Sequence, residues 1–426
     1  MDTREALGDQ SRGALWVVPA VCGVVALAAG AALSYVDVDP RSPLAFQGTA
    51  EDARAMLVDI SGTMITVIAL LLGLTVVALQ LSSTQFSPRL LRNFLRDRPN
   101  QIVLGAFVGT FAYSAGGLFT VGVAGGRLTD DFPRLAVSVA IALLFVSLGL
   151  LVYFADHLVH SIQVENIMGV VERNALPAVR AADFAVETET PAPPPSALAV
   201  PAVASGYLQH VDTSRLAADA RALGVAVRLR PRIGEHLVAG TVLAWVWSAG
   251  GGPVDPEAAG RIVAKSARIG FERTLEQDAA FGLRQLIDMA CKALSPAVND
   301  PYTAVQAIEH LTVLYGALAA RPVGDRVVRD PSGEVVVVVP GRRFEEYLGL
   351  GCGLIRRYGA GEPTVAYAVL RMLATCAELA GDDEAKRAAV AREADLLLDA
   401  AERETVVEAD LASVRRQAEV VRRAVA

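Results

Sequence analysis

Two stretches of this chain gather residue types that could do chemistry. The first runs from Asp59 to Thr84, DISGTMITVIALLLGLTVVALQLSST. Asp59, Thr63, Thr66, Leu70, Gly73, Val77, Gln80 and Thr84 follow one another at alternating steps of four and three, which puts them on one narrow stripe of a helix. The remaining faces are Ile, Leu, Met and Val. Hydroxyls, an amide and a bare glycine in line can replace part of an ion's hydration shell without the full charge that would hold the ion too tightly. The same residue types also let membrane helices pack closely. The packing seam is the plainer reading, because no charged residue lies in mid-stripe and Ser61 and Thr75 sit off it. In either case a polar stripe is costly against lipid, so it is expected to face protein or water.

The second stretch is FERTLEQDAAFGLRQLIDMACKALSPAVNDPYTAVQAIEHL. Helical spacing brings Asp278, Gln285, Asp288 and Lys292 near one face, with Arg284 beside them. The SPAVNDP loop then carries Asn299 and Asp300 to the start of the next helix, where Asp300 is expected to act as the cap. Mixed acids and bases of this kind read first as a structural salt-bridge network. The competing reading is a site for a small-molecule or ion ligand, or an interdomain contact. No nucleophile with its base, no phosphate loop and no metal set can be assembled, since Ser295 has no nearby His and His310 stands alone. Catalysis is therefore not expected. Asp156, His157 and His160 share a helix face but lack a third ligand at matching spacing, so no metal is expected there.

The elements that must hold these residues begin in the membrane. Hydrophobic residues make up 53% of the 426, mean hydropathy is +0.40, and the excess lies in the first third. Four segments are predicted to span: Leu15–Tyr35, Leu57–Leu81, Ile102–Val123 and Leu135–Ala155. The striped segment would cover roughly 38 Å, against about 30 Å of hydrocarbon. The first segment has too long an apolar run for a secretory signal and is read as a retained helix. Arg4 and Arg12 precede it, and Arg89, Arg92, Arg96 and Arg98 lie between spans two and three, while Asp37, Asp39, Asp130 and Asp131 mark the other loops. That asymmetry predicts cytoplasmic termini and a cytoplasmic second half. SPRLLRNFLRDRPN reads as a short amphipathic helix on the headgroups, so membrane lipid is an expected partner.

Other function classes recede on composition. A net charge of −7 with spread acidic residues gives no nucleic-acid footprint. Cys22, Cys291, Cys352 and Cys376 have neither disulfide nor zinc spacing.

After the fourth span the helix is expected to run on to about Phe184, and ETETPAPPPSALAVPAVAS reads as a stiff Pro-rich linker. From Gly206 to Gly252 short strands surround one helix, with spacing similar to barrel-sandwich modules of the biotinyl and lipoyl kind. No lysine occurs there, so no covalent cofactor is expected. The remainder is helical, with a β-hairpin near 326–340 around Pro331-Ser332-Gly333 and a final helix carrying Val407, Leu411, Val414, Ala418, Val421 and Val425. The predicted architecture is a mainly α membrane protein: four transmembrane helices (1–160), a juxtamembrane helix and linker (161–205), a small β-barrel (206–252) and a mostly helical cytoplasmic domain (253–426).

LSSTQFSPRLLRNFLRDRPNQIVLGAFVGTFAY, SGYLQHVD and QDAAFGLRQLIDMACKALSPAVNDPYTA together resemble a family of bacterial predicted membrane proteins known as domain of unknown function 2254. The resemblance covers nearly the whole chain and implies a bacterial inner-membrane protein with a cytoplasmic part. The expected function is an oligomeric channel or transport-like protein whose cytoplasmic part senses a ligand or stabilises the assembly. A membrane-anchored sensor or scaffold without conduction is the alternative. One helix cannot enclose water, so a path requires a homo-oligomer.

Overall fold

A computed structural model describes residues 16–36, 38–85, 98–121, 123–124, 127–128, 132–161, 163–180, 185–187, 190, 192–248 and 250–426. The chain divides into two compact units, Met1–Gln163 and Val164–Ala426.

The first unit is helical: α1 (Val17–Leu33), α2 (Ala50–Gln85), α3 (Arg98–Thr120), a two-residue-per-strand hairpin of β1 (Val123–Ala124) and β2 (Arg127–Leu128), and α4 (Arg134–Ser161). Among the described residues three helices are long and apolar enough to cross a membrane, over Ala50–Gln80, Arg98–Leu118 and Arg134–Ser161. Three of the four spans expected from sequence thus have helices of spanning length among the described residues. α1 is apolar but has 17 residues, or ~25 Å of rise against about 30 Å of hydrocarbon. α2 starts where it does because of a reciprocal cap: Asp52 N donates to Thr49 Oγ1 (3.2 Å), and Thr49 N donates to Asp52 Oδ2 (2.9 Å). The surface helix expected at Arg89–Arg98 lies outside the described residues except for Arg98.

Small residues let α1 and α3 touch. A Cβ placed on Gly105 would meet Cys22 Sγ at 2.9 Å, one on Gly109 would meet Ala26 Cβ at 3.5 Å, and one on Gly30 would meet the Tyr113 ring at 3.4 Å. The partners climb together along both helices, so α1 and α3 run parallel. Within this unit Thr110 and Ser147 share a buried hydrogen bond of 3.0 Å between α3 and α4, and Tyr113 donates to the Ala136 carbonyl.

The second unit opens with α5 (Val164–Arg180), after a break that ends α4 at Ser161. The continuous helix expected to Phe184 is therefore two helices. Beyond it come β3 (Ala185–Glu187), β4 (Leu198–Pro201), β5 (Gly206–Val211), α6 (Thr213–Leu223), β6 (Val225–Leu229), β7 (His236–Leu237), β8 (Val242–Ser248), α7 (Pro256–Ser266) and β9 (Ala267–Gly270). Then follow α8 (Ala279–Ala293), α9 (Pro301–Ala319), β10 (Asp325–Arg329), β11 (Val335–Val339), α10 (Phe344–Gly359), α11 (Pro363–Leu379), α12 (Glu384–Glu404) and α13 (Glu408–Val425).

The strands within 206–252 fall where their alternation puts them, and α6 ends at Gly224, which takes the left-handed conformation (φ 65°) that its cap requires. They do not close into a barrel. They divide between a six-stranded sheet, β3-β10-β11-β6-β8-β4, and a three-stranded sheet, β7-β5-β9. β6 pairs in parallel with β11, from more than a hundred residues downstream. Val225, Val227, Leu229, Leu243 and Val246 of this region share one buried core with Val336, Val337 and Val339 of the hairpin and with Leu216, Ile262 and Val263 of α6 and α7. The hairpin is thus part of the sheet. The Pro-rich stretch expected as a linker also contributes: β3 ends where it begins, β4 lies within it, and the two form the opposite edges of the large sheet. An edge strand has room for Pro201, which donates no ladder hydrogen bond.

The helices from α8 onward pack around fully buried Leu283, Leu286, Ile287, Leu311, Tyr315 and Leu370. The final helix buries Leu411, Val414, Ala418 and Val421 against its own unit.

Candidate functional site

The α2 stripe sits on the outside of its unit. Asp59, Thr63, Thr66, Leu70, Gly73, Val77 and Gln80 are all exposed, while Leu57, Ile60, Met64, Leu71 and Ala78 form the buried face. A Cβ on Gly73 would meet nothing within 4 Å. Thr84 falls in the last turn of α2, among side chains outside the described part. The Thr66 hydroxyl donates to the Gly62 carbonyl (3.0 Å), one turn back along the same helix. The chain therefore folds this unit on the apolar face of α2 and leaves the polar stripe turned outward.

The second polar cluster expected from sequence is dispersed along α8 and the loop after it. Asp278 caps its N-terminus, accepting from Phe281 N (3.0 Å) and from Arg273 Nε (2.8 Å), and is buried. Arg284 and Asp288 form an i,i+4 ion pair at 2.8 Å, part-exposed on both sides. Gln285 is buried, and its Oε1 has no hydrogen-bond partner among the described residues. Lys292 lies in the last turn. Asn299 adopts φ 50° in the loop, a conformation Asn tolerates better than most. Asp300 caps α9. The two caps stand at opposite ends of a 15-residue helix, ~22 Å apart along its axis, so they form no common site.

Asp300 carries a testable electrostatic signature. It accepts from Thr303 Oγ1 (2.6 Å) and Thr303 N (3.1 Å), and these bonds, the hydroxyl's first, hold its carboxyl below the ordinary carboxylate range. A depressed folded pKa means stabilisation that is present above the unfolded value of about 3.9 and is lost as pH falls through the lower folded value. Asp300→Asn should accordingly be less stable than the parent near neutral pH, and the gap in Tm should close below about pH 4. A gap independent of pH would show that the cap acts without its charge.

A second feature is a cleft of about 80 Å³ in the second unit. It lies where the base of the β10–β11 hairpin meets the turn after β6 and the N-terminus of α8. Arg232, Arg326, Arg342, Asp278 and Tyr347 line it. The hairpin register opposes Arg326 to Val339, which brings the Gly324 and Gly341 ends together. They meet so closely that a Cβ on Gly341 would strike the Gly324 carbonyl oxygen at 1.8 Å. Beside the cleft Gly234 takes φ 84°, and a Cβ there would collide with the carboxylate of the lining residue Asp278. Two of the nearby carboxylates are taken: Asp278 by Arg273, and Glu346 by Arg232 at 2.8 Å. Burial alone would raise the Glu346 carboxyl, but the Arg343 N–H, the Arg232 hydrogen bond and the charges of Arg232 and Arg342 together hold it low. Burial raises the Tyr347 phenol, against the opposing charges of Arg342, Arg326 and Arg232.

None of these cleft arginines stood out in the sequence, because they come from three separate segments. The one local signal was a glycine followed closely by arginine at each end of the hairpin, Gly324-Asp325-Arg326 and Gly341-Arg342. Among the described residues no group of three or more His, Cys, Asp or Glu could hold a metal ion.

Three curated relatives are each 44% identical over 440 residues, which is 99% of this chain and 84% of the relative. They are uncharacterized proteins MT1328 and Rv1290c of two Mycobacterium tuberculosis strains and Mb1321c of Mycobacterium bovis. No solved structure matches. The family model described as "Predicted membrane protein (DUF2254)" matches residues 12–375, and with three apolar helices of spanning length the chain belongs to that family.

Proposed function

We propose that this is an inner-membrane protein that assembles with copies of itself, so that several α2 helices meet around an axis and line a path for ions or small solutes. In this reading four helices cross, the termini are cytoplasmic, and Val164–Ala426 senses a ligand or steadies the assembly. The observation that carries it is the outward turn of the α2 stripe. Polar side chains at membrane depth are stable only against protein or water, and among the described residues this line is exposed from Asp59 to Gln80. The parallel run of α1 beside α3 supports the fourth span, since spans one and three must cross in the same direction.

The alternative is a scaffold or sensor whose α2 seams associate without enclosing water. The backward hydrogen bond of Thr66 favours it, because a hydroxyl satisfied within its own helix has less need of water.

Single cysteines separate the two. With Cys22 replaced by Ala, Thr66→Cys and Gly73→Cys should react in membranes with a small water-soluble maleimide. Val76→Cys, exposed on another side of α2, should stay inert for want of water. Inert cysteines at Thr66 and Gly73 that still cross-link between chains would give the scaffold reading.

A further inference from the structure

The cleft in the second unit holds more positive charge than its walls neutralise. Arg232 is matched by Glu346, and Asp278 is matched by Arg273. The side chains of Arg326 and Arg342 form no hydrogen bond or ion pair among the described residues, and Arg342 acts on Glu346 only through its charge. Arg326 projects from a strand and is largely shielded from solvent, and burial pulls its guanidinium below its ordinary range. A guanidinium does not escape that cost by losing its proton, so it calls for an anion. The Tyr347 hydroxyl, also without a hydrogen-bond partner among the described residues, adds a neutral donor.

We propose that this cleft binds a small, freely diffusing oxyanion, with a phosphate or phosphomonoester head held by Arg326 and Arg342 and oriented by Arg232 and Tyr347. Planar guanidinium forks match phosphate oxygens two at a time, which favours phosphate over a spherical halide. A volume of about 80 Å³ accommodates several waters or one such head, and any larger remainder of the ligand would extend through the open side. The tight glycine contacts at 234 and 341 fix the walls before any ligand arrives, so little ordering is needed on binding. The proposal gives chemical identity to a ligand for the cytoplasmic part, and it stands whether or not the membrane part conducts.

The test is thermal unfolding of the full-length protein in detergent, titrated with inorganic phosphate at constant ionic strength in chloride. Phosphate should raise the Tm saturably, as a ligand of the folded state does. Arg342→Gln should weaken the apparent affinity at least tenfold. Arg326→Met should erase the phosphate response and raise the Tm in phosphate-free buffer, because it removes an unmatched, largely shielded charge. Arg261→Gln, on exposed α7, should change neither. A purely structural Arg326 would give the opposite sign, a lower phosphate-free Tm. That result, or the lack of any saturable response, would overturn the proposal. Reconstitution into phosphatidylcholine vesicles should preserve the response, and stabilisation seen only with phosphatidate in the vesicles would replace the free anion with a lipid headgroup.

Discussion

Asp278→Ala should destabilise the second unit by about 2–4 kcal/mol, while Asp288→Ala should cost less than about 1 kcal/mol. Asp278 does three things at once. Its carboxylate caps α8, a role whose loss costs about 1 kcal/mol. It pairs through two hydrogen bonds with Arg273, and the Asp278 side chain is 2% exposed. Removing one partner of a fully buried pair costs about 3–5 kcal/mol, discounted here because Arg273 keeps a quarter of its surface in water. Finally, it fills the space against Gly234 that holds the turn after β6 to the helix. Asp288 pairs with its part-exposed helical neighbour Arg284 and caps no helix. Urea unfolding of the full chain, followed by a probe in the second unit, would compare the two. Equal losses would mean that the Arg284–Asp288 pair carries weight its exposure does not suggest.

That contrast shows what could be read from the residues and what could not. Asp278, Asp288 and Lys292 look alike on a helical projection, since periodicity reports direction around an axis and says nothing of which carboxylate starts the helix. The cap at Asp300 was legible because Pro301 follows it at the first helical position, a local signal with a local cause. The strands from Gly206 to Ser248 were legible for the same reason. Their partners were not. β11 is a run of five valines, and nothing in valine specifies that it will lie parallel to β6. Long-range pairing is decided by which core the whole unit can close, and here that core joined the hairpin and the edges of the Pro-rich stretch to one sheet. The cleft is a product of the same closure, which is why its arginines were invisible beforehand. In the first unit the period of α2 placed the polar stripe on one face, but a single helix cannot disclose whether that face turns inward or outward.

Gly105→Cys should form a disulfide with native Cys22 on mild oxidation and lock α1 to α3. The Cβ added at Gly105 would lie 3.5 Å from Cys22 Cβ, at the near edge of the Cβ–Cβ range of about 3.5–4.5 Å that a disulfide adopts. No other described cysteine lies in this unit, so the bond should be intramolecular and nearly complete. A link of this kind typically stabilises by about 2–4 kcal/mol. Gly105→Leu should do the reverse: the same approach leaves no room for a branched side chain, and overpacking costs about 1–3 kcal/mol. Gly109→Ala should be tolerated, because its Cβ would meet Ala26 and the Cys22 carbonyl oxygen at ordinary contact distance. Free-thiol counting after oxidation, in Gly105→Cys and in Gly105→Cys with Cys22→Ala, reads out the bond. The bond also bears on topology. If α1 is tied along its length to a helix that crosses, running in the same direction, it must lie at membrane depth too, and 17 apolar residues need only a locally thinned bilayer or a few flanking residues to complete the span. With the four native cysteines counted, about five free thiols rather than about three in the unfolded Gly105→Cys protein after oxidation would break that tie and leave α1 at the surface.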